Sequence, residues 1–313
     1  MRRFVIDTDT ASDDAVALVM ALQDPDITVE AITLVAGNVP LEQGLQNALY
    51  TVELCNKQVP VYGGMASPIL HPLETAQHIH GMDGLGDIGL PLEGRKPMQG
   101  HAVAILVETI NRYPGEITLV ALGPLTNLAF ALRFDPSIAH KVKECIIMGG
   151  VGKGIGNVTP VAEYNIWVDP EAAKIVFEAG MPITMVGWDV CVSEATISSN
   201  EAQSIRQVGT TLAKFCIDIQ QVHGGKKLYP GPFVIADPLA MAIALNREVA
   251  TDIRKLFVAI ETESILCRGQ TVVDHLSVFK KEATIDVVLG ASHEMFMKMF
   301  YSAVEETHPP QTL

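Results

Sequence analysis

The sequence predicts an α/β protein with a mostly parallel open sheet flanked by helices, built as a single large domain over residues 1–313. Three observations predict it. Short apolar runs recur at 3–7, 27–35, 117–122, 145–148 and 183–187, with helical patterns between them. The chain is 48% hydrophobic and 19% charged, with a positive mean hydropathy, as strands covered on both faces require. Its 313 residues suffice for one large α/β domain or two smaller ones, and no repeat, low-complexity linker or composition shift divides them.

The elements follow in order. A strand over 3–7 runs through a loop into a helix over 13–23. The run 27–35 ends in Ala36-Gly37-Asn38, followed by a helix over 41–56 and a short strand near 59–61. Gly63, Gly64, Pro68 and Pro72 open an irregular stretch over 71–97 that contains His78 and His80; loops this long often bind ligands. A helix over 100–112 precedes the strand 117–122, which stops at Gly123-Pro124 and turns into a helix near Asn127. The strand 145–148 ends in Gly149-Gly150. The glycines that follow lack the helix opening and distant acidic residue of a dinucleotide site, and read as loop flexibility. Asp169-Pro170 opens a helix, with proline at its first position. The strand 183–187 ends in Gly187-Trp188-Asp189, and a long helical stretch over 197–222 comes next. After a loop over 223–232, an apolar helix spans 238–246, the region 253–289 is strand-rich, and a last helix spans 292–305.

The polar clusters all lie just after apolar strands. In a parallel sheet those strand ends share one edge, so residues distant in sequence can line one crevice. The sharpest cluster is the first. Asp7, Asp9, Asp13 and Asp14 crowd into eight positions directly after Phe4-Val5-Ile6. Neighbouring carboxylates at about 4 Å repel by several kcal/mol in a protein-like medium. A bound cation, a shared proton or solvation must relieve that repulsion. Carboxylate oxygens around one point suit a hard divalent cation such as Ca²⁺ or Mg²⁺. Asp14 also falls near a helix N-terminus, which favours an anion.

Composition excludes some partners. A net charge of −14 argues against nucleic acid and anionic membranes. The five scattered cysteines form no CxxC pair, which fits a reduced, cytoplasmic protein without a cysteine-based metal site. Asp7 and Asp9 interrupt any signal-peptide core, and no uncharged run approaches the ~20 residues of a membrane span.

Asp7-Thr8-Asp9 with Asp13-Asp14 resembles the N-terminal signature of the nucleoside hydrolases of the inosine–uridine preferring family. The later segments agree in order: Val35-Ala36-Gly37-Asn38, Leu122-Gly123-Pro124-Leu125-Thr126-Asn127, Met148-Gly149-Gly150, Asn157, Pro160-Val161-Ala162-Glu163-Tyr164-Asn165 and Asp237-Pro238. The resemblance covers residues 3 to about 245. It implies hydrolysis of the N-glycosidic bond of a ribonucleoside to ribose and a free purine or pyrimidine base. It also implies one Ca²⁺ per subunit, held by Asp9, Asp14, Asp237 and the backbone carbonyl of Leu122. By the same matching, Asp13, Asn38, Asn157, Glu163 and Asn165 contact ribose, with Met148 close to the sugar. The family is often dimeric or tetrameric, so a homo-oligomer is expected.

The chemistry suits those residue types. Departure of the base builds positive charge on the sugar, which carboxylates stabilise. A divalent cation can hold the ribose diol and lower the pKa of a water, with Asp9 as general base. The sequence departs from the pattern at Ala236, where many members carry a histidine before the last metal-binding aspartate. Alanine cannot protonate a leaving base. His80 is the substitute candidate, and Tyr229, His78 and His223 follow it. Trp167 and Trp188 read as core or pocket wall.

Two other readings fit parts of the pattern. Asp7-x-Asp9 after a strand is similar to the haloacid-dehalogenase-type phosphatases, in which the first aspartate is a nucleophile, but Asp13-Asp14 has no place there. Ala236 also suits a nucleoside- or ribose-binding protein with weak or lost turnover.

Overall fold

The first strand lies in the interior of the sheet. Phe4, Val5 and Ile6 are all fully buried although they point to alternate faces, because helices cover both sides. The computed structural model describes residues 1–220 and 232–305. Along the chain run β1 (Arg2–Thr8), α1 (Ser12–Gln23), β2 (Ile27–Leu34), α2 (Leu41–Leu54), β3 (Val61–Gly63), α3 (Gln77–His80) and α4 (Ala102–Arg112). Then come β4 (Ile117–Ala121), α5 (Thr126–Phe134), β5 (Glu144–Met148), α6 (Tyr164–Val168), α7 (Pro170–Phe177), β6 (Ile183–Val186) and α8 (Trp188–Glu194). The rest is β7 (Thr196–Ile197), α9 (Ser199–Gln207), α10 (Thr211–Asp218), β8 (Phe233–Val234), α11 (Ala236–Leu245), β9 (Ala250–Leu256), β10 (Val258–Ile260), β11 (Thr271–Val273), β12 (Ile285–Ala291) and α12 (His293–Glu305).

Among the described residues the main sheet has the order β3-β2-β1-β4-β5-β6-β12-β9. Every neighbouring pair is parallel except β12–β9, which closes one edge antiparallel. From β1 the chain winds outward to β2 and β3; from β4 it winds the other way. The order therefore reverses between β1 and β4, and open α/β sheets bind ligands at the carboxyl ends beside such a reversal. The register puts Asp7 opposite Ala121, Thr8 opposite Leu34 and Met148 opposite Val186, so these strands finish along one edge.

Two apolar layers flank the sheet. Phe4 and Ile6 join α1, α11 and α12 on one face, while Val5 and Leu119 join α4, α5 and α7 on the other. Both α1 and α11 are buried along nearly their whole length and pack on each other. A helix that is apolar all round must be interior, and the run from Leu239 to Leu245 makes α11 such a helix.

The structure corrects several boundaries. The helical stretch expected over 197–222 is broken into β7, α9 and α10. Ser198 caps α9 in a reciprocal box with Glu201, Gly209 takes φ +85°, and the Thr210 hydroxyl caps α10 by accepting from the Ala213 N–H. The strand expected to end in Gly187-Trp188-Asp189 stops at Val186, and Trp188-Asp189 opens the short helix α8. The irregular stretch over 71–97 contains one turn of helix, α3, and Glu163 caps a five-residue helix, α6, that periodicity alone could not reveal. No helix among the described residues is long and apolar enough to cross a membrane.

Candidate active site

The N-termini of the two buried helices converge below the sheet edge, and each brings acidic side chains. Carboxylate oxygens of Asp13 and Asp14, from α1, and of Asp237, from α11, all lie within 4.8 Å of one another. The helix ends favour these charges locally. Asp14 is fixed by the Thr8 hydroxyl at 2.5 Å and by the Ala11 N–H at 2.9 Å. The backbone N–H groups of Ala236 and Asp237 face the Asp13 carboxylate. Asp9, in the loop after β1, accepts the Asn38 N–H at 2.5 Å, and its carboxyl meets that of Asp14.

These four carboxyls are held above their ordinary range. Burial is the first cause in each. For Asp9 the nearby charge of Asp14 adds to it, for Asp14 that of Asp13, and for Asp237 those of Asp13, Asp14 and Asp9. Asp9 Oδ1 and Asp13 Oδ1 are buried with no hydrogen-bond partner. Crowded, orphaned carboxylate oxygens of this kind fit a hard divalent cation, so the cluster can hold a metal. Asp7 does not join it. Its carboxyl accepts from Thr33 Oγ1 at 2.6 Å and Asn127 Nδ2 at 2.8 Å inside the sheet, where burial pushes it up to about 7. Held there, it cannot attack a substrate, which removes the phosphatase reading.

A cavity of about 420 Å³ opens above the cluster. Its wall includes Asp13, Asn38, Leu122, Met148, Asn157, Glu163, Asn165 and Asp237, residues the sequence singled out from separate segments. Glu163 accepts from the N–H groups of Asn165 (2.8 Å), Gly150 (2.9 Å) and Ile166 (3.3 Å), yet burial pushes its carboxyl up to about 7. Asn165 Nδ2 donates to the Leu122 carbonyl at 2.7 Å and the Met148 carbonyl at 3.2 Å. That leaves Asn165 Oδ1 buried and unpartnered, an acceptor for a hydroxyl-bearing ligand. Asn157 Oδ1 accepts the Tyr164 N–H at 2.9 Å.

The cavity wall also holds the apolar residues Ala76, Ile79, Val158, Trp188, Val234 and Ala236, and two imidazoles, His78 and His80. His80 Nδ1 stands 2.8 Å from Ser12 Oγ and 3.9 Å from Asp13 Oδ1. Tyr164, part of the Pro160–Asn165 motif but given no role from it, also lines the wall and donates its hydroxyl to the Glu74 carbonyl at 2.8 Å. Its place between Glu163 and Asn165 was the signal. Trp188 is a wall residue, whereas Trp167 lies under the Arg268 guanidinium, 4.0 Å from its ring centre. His223 and Tyr229 lie outside the described residues.

Comparison with known proteins agrees along the whole chain. A family model described as inosine-uridine preferring nucleoside hydrolase matches residues 4–298. An inosine-uridine preferring nucleoside hydrolase of Leishmania major is 36% identical, covering 99% of both chains. A pyrimidine-specific ribonucleoside hydrolase, RihA, of Shewanella sp. is 36% identical over 97% of this chain and 96% of its own. Among solved structures, a purine-preferring ribonucleoside hydrolase from Gardnerella vaginalis superposes with a TM-score of 0.88 at 30% identity, covering 97% of this chain and 98% of its own.

Proposed function

The chain belongs to the inosine–uridine preferring nucleoside hydrolase family, and from that premise we propose how its own residues perform the reaction. It is a hydrolase that cleaves ribonucleosides to ribose and a free base. The whole chain acts as one catalytic domain.

In this reading one Ca²⁺ per subunit is held by Asp9, Asp14, Asp237 and the Leu122 carbonyl, with Asp13 on the sugar side of the cluster. The ion polarises a water and the ribose diol when bound. Asn38, Asn157, Glu163 and Asn165 line the sugar end, and the free Oδ1 of Asn165 accepts a ribose hydroxyl. Met148 packs close to the ring.

Asp9 takes a proton from the attacking water as its oxygen bonds to C1′. The C1′–N bond breaks and its electron pair leaves with the base. The carboxylates stabilise the positive charge that builds on the sugar in between. His80 delivers a proton to the departing base nitrogen, a role that Ala236 cannot fill. Tyr229 remains a candidate to cover the base.

The single observation that carries this reading is the buried Asp13–Asp14–Asp237 cluster, with the Asp9 carboxyl against Asp14, beside a cavity walled by Asn38, Glu163 and Asn165. Release of free base from inosine, uridine, cytidine and adenosine, assayed before and after chelation and after Ca²⁺ is restored, tests it. Turnover lost on chelation and recovered with Ca²⁺ supports the reading; turnover indifferent to chelator overturns the role of the ion. The same homogeneous protein, sized in solution, tests the expected homo-oligomer.

A further inference from the structure

Ser12 is the first residue of α1 and is only 4% exposed, yet its hydroxyl turns away from the helix toward α3. Ser12 Oγ stands 2.8 Å from His80 Nδ1. The Ser12 carbonyl accepts Gln220 Nε2 at 2.9 Å, which ties the same residue to the segment after α10. Asp13 Oδ1 lies 3.9 Å from the same imidazole nitrogen, beyond hydrogen-bond reach. Ser12 is thus the close partner of Nδ1 and Asp13 a distant one.

We propose that Ser12 is a positioning residue for His80: its hydroxyl fixes the ring's rotation and keeps a proton on Nδ1, so that the proton passed to the leaving base comes from Nε2. This rests on the assignment of His80 as the acid. The partner of one ring nitrogen sets the state of the other. With Nδ1–H donated to Ser12 Oγ, the ring cannot swing its Nδ1 toward Asp13, and Nε2 is the nitrogen that exchanges protons. α3 is a single turn of helix in a long loop, so its own packing does little to orient the ring. Ser12 adds an anchor from α1, which is buried along nearly its whole length.

The test compares two substrates on the Ca²⁺-loaded enzyme. Inosine needs its leaving base protonated; p-nitrophenyl β-D-ribofuranoside releases an anion that departs unaided. Ser12→Ala is expected to lower kcat on inosine about tenfold with KM nearly unchanged, a fraction of a full general-acid effect. Its turnover of the nitrophenyl riboside stays at the parent level, and Ser12→Thr, which keeps the hydroxyl, recovers inosine turnover. Adding Ser12→Ala to His80→Ala brings no further loss. Equal losses on both substrates, or no loss on either, overturn the proposal. If His80→Ala loses inosine turnover while Ser12→Ala keeps it, the positioning role falls and the acid stands. If His80→Ala itself keeps full inosine turnover, the acid assignment falls and takes this inference with it.

Discussion

Asp9 and Asn38 are joined by a 2.5 Å hydrogen bond from the Asn38 N–H to Asp9 Oδ2, while Asp9 Oδ1 stays buried without a partner. One bond thus locks the loops after β1 and β2 together and leaves one oxygen of the carboxylate for chemistry.

Gly37 makes that bond possible. A Cβ there would collide with Asp9 Oδ2 and with Pro124. Gly37→Ala is expected to displace the carboxylate by a fraction of an ångström to an ångström and to lower kcat by about 100-fold, the scale of a comparable misplacement in an active site. Steady-state kinetics on inosine with saturating Ca²⁺ measures this; a kcat within a few-fold of the parent contradicts it.

Ion affinity should rise with pH. Burial and mutual repulsion hold Asp9, Asp13, Asp14 and Asp237 above their ordinary range, so the ion-free cluster retains protons that a cation must expel. Calorimetry of Ca²⁺ binding at pH 6 and pH 8, repeated in buffers of different ionisation heat, is expected to show tighter binding at pH 8 and proton release at pH 6. Equal affinity with no release contradicts the shifted cluster.

Asp7 sets a stability trend of its own. Its folded pKa is pushed up to about 7 from 3.8, with burial as the first cause. The folded state then binds more protons than the unfolded one between those values, so stability falls as pH rises through that window. The loss amounts to about 4 kcal/mol once pH passes 7. Asp7→Asn cannot ionise and keeps an acceptor for Thr33 and Asn127. Its melting temperature is expected to drop less between pH 5 and pH 8 than the parent's. Parallel curves for the two proteins refute the assignment.

Asn165 should govern sugar selection. Its Nδ2 is spent on two backbone carbonyls, and its buried Oδ1 is left for a hydroxyl. A site built to bind a hydroxyl rejects analogues that lack it, because its polar groups are then left unpaired. Asn165→Ala is expected to cut the preference for the ribonucleoside over the deoxy analogue missing that hydroxyl by about 100-fold. Paired kcat/KM values for ribo- and deoxyribonucleosides read it out.

The sequence made the parallel sheet and the polar part of the cavity wall legible, for a physical reason. Buried strands between two helical layers read as near-continuous apolar runs, and polar residues right after them must lie on the ligand-binding edge. That logic places Asn38, Leu122, Met148, Glu163 and Asn165 around one cavity. It could not separate Asp7 from Asp9. The two differ by two positions, yet one side chain is held inside the sheet by Thr33 and Asn127 and the other lies past the strand's end. Nor could periodicity resolve α6 or the break between α9 and α10, which depend on side-chain caps and one left-handed glycine. The Ser12–His80 pairing, 68 positions apart, left no local trace.

The cavity is made of two unlike materials. Its floor belongs to strand ends and to the paired interior helices α1 and α11, which cannot shift without opening the core. The rest of its wall draws on the single helical turn of α3, with Ile79, and on loop residues such as Ala76 and Val158. Variation can therefore accumulate at that part of the wall at little cost to folding. Segments transplanted between relatives at that wall should carry base choice with them and leave the ribose requirement behind.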